Sequence, residues 1–189
     1  MGLAAQALLA IVLAVLLVRV LLVGAFVAKI LGRNDYLDGW KGAVSRQTTT
    51  IAGIVSDNYS RNSNAGFPVV IVHGVNTTGK DNLDIVRVAQ SFAQVGFQVI
   101  VPDLTRMKEQ AVSRQDAEDV LKVLESVGGN VGIVCISYGC GPALIAAADA
   151  DVRYRVQFVV TFAGFFDMVS QLRFLVTAPE NPLGYDKWF

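Results

Sequence analysis

The stretch "VCISYGCG" occupies Val134–Gly141 and closes an apolar run that starts at Val131. Strand-forming residues lead into it, and the Ala-rich "GPALIAAADA" (Gly141–Ala150) leads out. Between them stands small-x-Ser-x-Gly: Cys135, Ile136, Ser137, Tyr138, Gly139. A strand that feeds a helix through so tight a turn holds its central residue in a strained backbone conformation. Small residues two positions before and after the serine let strand and helix approach closely. The serine oxygen then points off the sheet at the carboxyl ends of the strands. The next N–H, that of Tyr138, sits at a helix N-terminus, where negative charge is stabilised.

Working outward, the same alternation repeats. Phe67–Val72 reads as a buried strand, and Asp81–Val95 as a helix with Leu83, Val86, Ala89, Phe92 and Ala93 on one face and Gly96 as its stop. Phe97–Val101 is a second strand, ended by Pro102-Asp103. Ser113 with Asp116 has capping-box spacing for a helix whose apolar face is Val120, Leu121, Val123, Leu124 and Val127. Val131–Ile136 and Val156–Phe162 complete four strands, with a helix over Gly141–Ala150. Continuous apolar strands alternating with helices predict an α/β fold, a mostly parallel sheet covered on both faces. Upstream, Thr48–Ala52 and Ile54–Tyr59 read as two short strands, and Ser60–Gly66 as a turn.

The first of the four strands runs into "HGVNTTGKD" (His73–Asp81). Glycine, four residues, then Gly79-Lys80 is the spacing of a phosphate-binding loop. That loop needs Ser or Thr after the lysine to hold magnesium, and here the residue is Asp81. An Asp there serves better as a helix cap. "QVIVPD" would be the acidic strand of such a nucleotide site. The elbow around Ser137 has no role in that alternative. Lys80 reads as a solvated surface charge.

The ordered set resembles the alpha/beta-hydrolase fold family, in its dienelactone-hydrolase-like and serine-peptidase-like members, over roughly residues 48 to 167. "VVIVHG" is similar to the strand that ends in the oxyanion loop, and "GFQVIVPDL" (Gly96–Leu104) to the strand after it. "CISYGCGPAL" (Cys135–Leu144) is similar to the elbow and its helix, and "VVTFAGFFD" (Val159–Asp167) to the strand beyond. The resemblance implies Ser137 as nucleophile, with the N–H groups of Tyr138 and Val75 as the oxyanion hole. Cys135 stands where the family usually has Gly, and reads as a small buried, inert thiol. An aromatic at Tyr138 implies a wall near the acyl group or simple packing.

A serine hydrolase also needs an imidazole to take the serine proton and a carboxylate to orient it. The family order is Ser, acid, His. No histidine follows Ser137 among the 189 residues, and the only one, His73, precedes it. His73 reads as a structural residue that shapes its loop through a ring hydrogen bond. Asp167 is a weak candidate for the acid, since most relatives place the acid one strand later. Its other reading is a helix or turn cap. Asp103 reads as a structural turn residue. After Asp167 one helix and a loop are expected, and the family's last strands, acid loop and histidine loop are not reached. The expectation is therefore a C-terminally truncated fragment of a longer hydrolase acting on an ester, thioester or amide, or a hydrolase-like binding module that has lost its base.

Sixteen basic and sixteen acidic side chains cancel, so nothing here predicts a nucleic-acid surface. The Cys135–Cys140 spacing is not a zinc pattern, so no metal and no cofactor are expected. Residues 1–32 read as a transmembrane anchor, 33–66 as a linker with the first short strands, and 67–189 as the partial hydrolase domain. Leu3 to Leu31 as one helix is roughly 43 Å long, more than a bilayer core of about 30 Å needs, so tilt or an end outside the core is expected. Arg19 interrupts the apolar run at a cost of about 2.5–3.5 kcal/mol if it lies mid-bilayer. A cleaved signal peptide is the alternative, with small residues at Val23-Gly24-Ala25 near a plausible cut; against it, Met1-Gly2-Leu3-Ala4 lacks the usual basic start. Lys29, Arg33, Lys41 and Arg46 all follow the run, which predicts a single-pass protein with its main domain in the cytoplasm. Two free thiols would fit that reducing compartment.

Overall fold

The computed structural model describes residues 3–30, 43–61, 66–165 and 167–177. Parts of the expected turn over Ser60–Gly66, and the expected C-terminal loop after residue 177, lie outside the described residues.

Strands β1 (Ser45–Ile51), β2 (Ile54–Ser60), β3 (Pro68–Val72), β4 (Gln98–Pro102), β5 (Val131–Ile136) and β6 (Val156–Phe162) form one sheet in the order β1-β2-β4-β3-β5-β6. The β1–β2 hairpin is antiparallel, and β2 runs antiparallel to β4. From β4 to β6 every pairing is parallel. The hairpin turns at Ala52 and Gly53, which take φ of 50° and 82°. Two successive positive φ values match the twist of a two-residue hairpin.

Strands β3, β4 and β5 are buried along nearly their whole length, as their unbroken apolar runs require, whereas β6 at the sheet edge is half-buried to exposed. Side chains alternate between the two faces. Val69 and Ile71 pack with Val99, Val101 and Val134 against α2 (Leu83–Gln94) through Ile85, Ala89 and Phe92. Val70, Val72, Ile133 and Cys135 pack on the other face against α4 (Gln115–Ser126) through Val120, Val123 and Leu124. A single turn, α3 (Thr105–Lys108), links β4 to α4. Helix α2 begins at Asn82, whose side-chain oxygen accepts the N–H groups of Asp84 and Ile85 at 3.0 and 3.4 Å. The cap expected of Asp81 thus belongs to its neighbour. Ser113 starts the next helix as the spacing predicts: its N–H donates to Asp116 at 3.1 Å, and its hydroxyl accepts from Gln115 N–H at 3.1 Å. Helix α5 is Cys140–Ala147, and α6 is Met168–Thr177.

Helix α1 (Leu3–Ile30) contains one segment, Ala5–Ala28, long and apolar enough to cross a membrane. Its side chains are exposed from Ala5 to Leu21. Near its end the Phe26 ring meets Phe92 of α2 edge-on, with centroids 4.9 Å apart.

Candidate active site

Strand β5 ends at Ile136, and Ser137 follows with φ 52°, in the left-handed region that a side chain rarely adopts. The chain then makes a 3-10 turn over Ser137–Gly139 and enters α5. Ser137 is exposed while Tyr138, Gly139 and Cys140 are buried. This is the turn that small-x-Ser-x-Gly predicts, and its glycine is sterically required. A Cβ on Gly139 would overlap the carbonyl of His73 and lie 2.9 Å from Val72 O. A Cβ on Gly74 would lie 3.0 Å from both Ile136 O and the Ser137 Cβ. The loop after β3 and the turn after β5 therefore pack backbone to backbone, with Gly74 against Ser137.

Cys135 and Cys140 form a disulfide across this turn, with Cα atoms 4.8 Å apart. The expectation of an inert free thiol is corrected, and so is the argument that two thiols mark a reducing compartment. Spacing alone does not show that the chain doubles back between them. Both cysteines are buried. Gly164, in the loop after β6, makes room for the bond: a Cβ there would sit 2.8 Å from Cys140 Sγ.

The Tyr138 side chain turns into the core. Its hydroxyl donates to buried Asp116 at 2.9 Å. Burial first, then the Asp116 carboxylate, pushes the phenol up to about 12. The ring is therefore packing, and the phenol is no acid or base near neutrality.

His73 is fully buried, and both ring nitrogens are occupied. Nδ1 lies 2.8 Å from Gly74 O, and Nε2 accepts the N–H of Leu104 at 3.2 Å. A carbonyl only accepts, so Nδ1 carries the proton and the ring is neutral. Burial drives its pKa below the ordinary value. The ring ties the β3 loop to the end of β4, as its structural reading predicts.

The same loop is held from within by Asn76. Its side-chain oxygen accepts the N–H groups of Thr78 and Gly79 at 3.0 and 2.6 Å, and its amide donates to Gly74 O at 2.9 Å. Lys80 is buried, not solvated. Its ammonium sits 3.2 Å from Asp57 and 3.1 Å from Asp81. Fully buried Asp57 also accepts from Arg46 Nε at 2.8 Å and Thr48 Oγ1 at 2.7 Å, and Arg46 reaches on to Asp81. Burial pushes the Asp57 carboxyl up, but bonds from Thr48, Arg46 and Lys80 outweigh it, and the net shift is down. The lysine that a phosphate loop would aim at its ligand is thus committed to two carboxylates. Sequence reading missed Arg46 and Asp57. The available signal was the hairpin register, which sets Thr48 opposite Asp57.

Asp103 takes a structural role, accepting from Lys108 at 2.9 Å. Asp167 is exposed and caps α6, accepting the N–H groups of Val169 and Ser170 at 3.0 and 3.2 Å. The Ser170 hydroxyl and the Val169 N–H hold its carboxyl below the usual range. Among the described residues no group of three His, Cys, Asp or Glu side chains could hold a metal ion.

No protein-family model and no curated protein matches the chain. Solved structures do. Dienelactone hydrolase from Anabaena variabilis superposes with a TM-score of 0.53 at 19% identity, covering 66% of this chain and 64% of that one. TT1662 from Thermus thermophilus gives 0.50 at 16% identity, covering 70% and 67%. The fold is that of the alpha/beta hydrolases. The chain spans 64% of the Anabaena protein's length.

Proposed function

We propose that this alpha/beta-hydrolase domain is a serine hydrolase of esters, thioesters or amides, held at a membrane by α1. The observation that carries the reading is Ser137: exposed, at φ 52°, at the end of a buried parallel strand. Its hydroxyl oxygen attacks the substrate carbonyl carbon. The N–H groups of Tyr138 and Val75 receive the oxyanion. Collapse of the tetrahedral intermediate expels the leaving group and leaves an acyl-serine, which water hydrolyses. His73 cannot take the serine proton, because both its nitrogens are engaged. His73 is the only histidine in the sequence, so on this reading a group other than an imidazole of these 189 residues acts as the base. Asp167, at the end of the loop after β6, is the carboxylate nearest in chain order to the family's acid, with its capping bonds in competition.

The locked imidazole also favours a second reading, a hydrolase-like binding module without catalysis. A fluorophosphonate probe separates the two. A Ser137 adduct located by mass spectrometry, absent in Ser137→Ala, supports the enzyme. A folded chain with unmodified Ser137 supports the binding module.

The basic residues Arg33, Lys41 and Arg46 after α1 favour the cytoplasmic side, whereas the Cys135–Cys140 bond favours an oxidising compartment. Alkylation in denaturant of membranes lysed directly into the reagent, before and after reduction, decides between them. Cysteines blocked without reductant mean cytoplasm, and cysteines blocked only after it mean the opposite side.

A further inference from the structure

A groove of about 450 Å³ runs between the last turns of α1 and the domain. Arg19, Val23 and Phe26 form one wall, and Phe92, Phe97 and Phe162 stand on the other. The lining is carbon except at Arg19. We propose that this groove holds an acyl chain of an anionic phospholipid from the surrounding bilayer, with the lipid phosphate on Arg19. The inference rests on α1 lying in the bilayer and is independent of catalysis by Ser137.

Three observations identify the occupant. First, one wall belongs to the only described helix that could span a membrane, so the groove's mouth at Arg19 lies at the membrane surface and a chain held in it is drawn out of the bilayer towards the domain. Secondly, Leu3–Val18 carries no charge and is about 24 Å long as a helix, a little short of the roughly 30 Å core. An arginine at the next position, with a stem long enough to snorkel, marks the headgroup level. The turns beyond it, where Phe26 meets Phe92, then stand in the interface against the domain. This is the end outside the core that the excess helix length predicts. Thirdly, Arg19 is the one charge in the lining, and among the described residues no carboxylate pairs with it. A cation beside an apolar slot complements an anionic head on an apolar tail.

One wall of the groove includes the end of β6, the strand beside β5. Phe162, in its wall, pairs in register with Ile136, the residue before Ser137. If Ser137 is the nucleophile, the substrate class narrows to esters or thioesters with long acyl chains.

The test uses the full chain in nanodiscs of phosphatidylcholine containing phosphatidylglycerol with a photoactivatable acyl chain. Adducts are mapped by mass spectrometry. The proposal expects adducts on Phe92–Phe97 and Val160–Phe162 in addition to those on Leu8–Val18. Val160→Trp, which fills the groove, removes the domain adducts and keeps the helix ones. Val23→Trp does the same from the other wall without touching the domain core. Arg19→Gln reduces the preference for phosphatidylglycerol over phosphatidylcholine probes by about fivefold. Ser137→Ala leaves every adduct in place, so a failure of the catalytic reading is told apart from a failure of this one. Adducts confined to α1, domain adducts unchanged in both tryptophan variants, or no headgroup preference would overturn the proposal.

Discussion

Two loops meet at the carboxyl ends of β3 and β5, and they are held in opposite ways. The loop from His73 to Asp81 is fixed by polar contacts: a neutral imidazole, the Asn76 side chain, and Lys80 buried against Asp57 and Asp81. The turn from Ile136 to Cys140 has a disulfide across its base and a glycine pressed against the neighbouring strand end. On the proposed serine-hydrolase reading, the difference follows from what each would present. A loop that offers backbone N–H groups must keep several donors aimed at once, and directional hydrogen bonds do that. An elbow that offers a serine at positive φ must resist relaxing to an ordinary conformation, which steric and covalent constraint prevents.

The largest expected effect comes from breaking the steric contact on which both loops depend. Gly139→Val drives a side chain into the His73 carbonyl, and the cost exceeds about 4 kcal/mol. Thermal melts should show loss of the cooperative transition. Removing the polar clamp is next. Asp57→Ala leaves Lys80 and Arg46 without their fully buried partner and costs about 3 kcal/mol by denaturant unfolding. Reducing the disulfide, or Cys135→Ser with Cys140→Ser, costs about 2 kcal/mol for so short a loop. Hydrogen exchange sharpens the contrast. Reductant should speed exchange in 136–140 and spare 74–81.

Acid should do the reverse. The folded Asp57 carboxyl titrates below its ordinary 3.8. Its contribution is complete above that value and is lost as pH falls through the lower folded value. The β3 loop should therefore loosen before the elbow on acidification. The smallest effect is that of His73. Its pKa is lowered by burial, so its share of stability is complete above 6.5 and declines as pH falls below, where only the unfolded chain takes up the proton. As the only histidine, it gives an unambiguous ring signal by NMR. That signal should stay neutral at pH values where a free imidazole is protonated.

The sheet and the tight turn at Ser137 were legible because their signals are local. Val69–Val72 and Val131–Ile136 are unbroken apolar runs, and the turn chemistry at Ser137 lies within five residues. The clamp on Lys80 was not legible, because Asp57 lies 23 residues upstream on a strand reached only through the sheet. Tyr138 pairs with Asp116 across 22 residues, and nothing near Tyr138 announces it. The disulfide escaped for a different reason: it needs the elbow's geometry first, and only then do two cysteines five apart come within bonding reach. The seat of α1 on α2 was hidden by a helix that is apolar all round and has no face to read.

The most direct test of the central claim, that these two loops make Ser137 a poised nucleophile lacking only its base, is the rate of fluorophosphonate labelling with and without added imidazole. The account predicts slow labelling confined to Ser137, accelerated by imidazole as a diffusible base and abolished in Ser137→Ala. A folded chain whose Ser137 stays unmodified at saturating imidazole would contradict it.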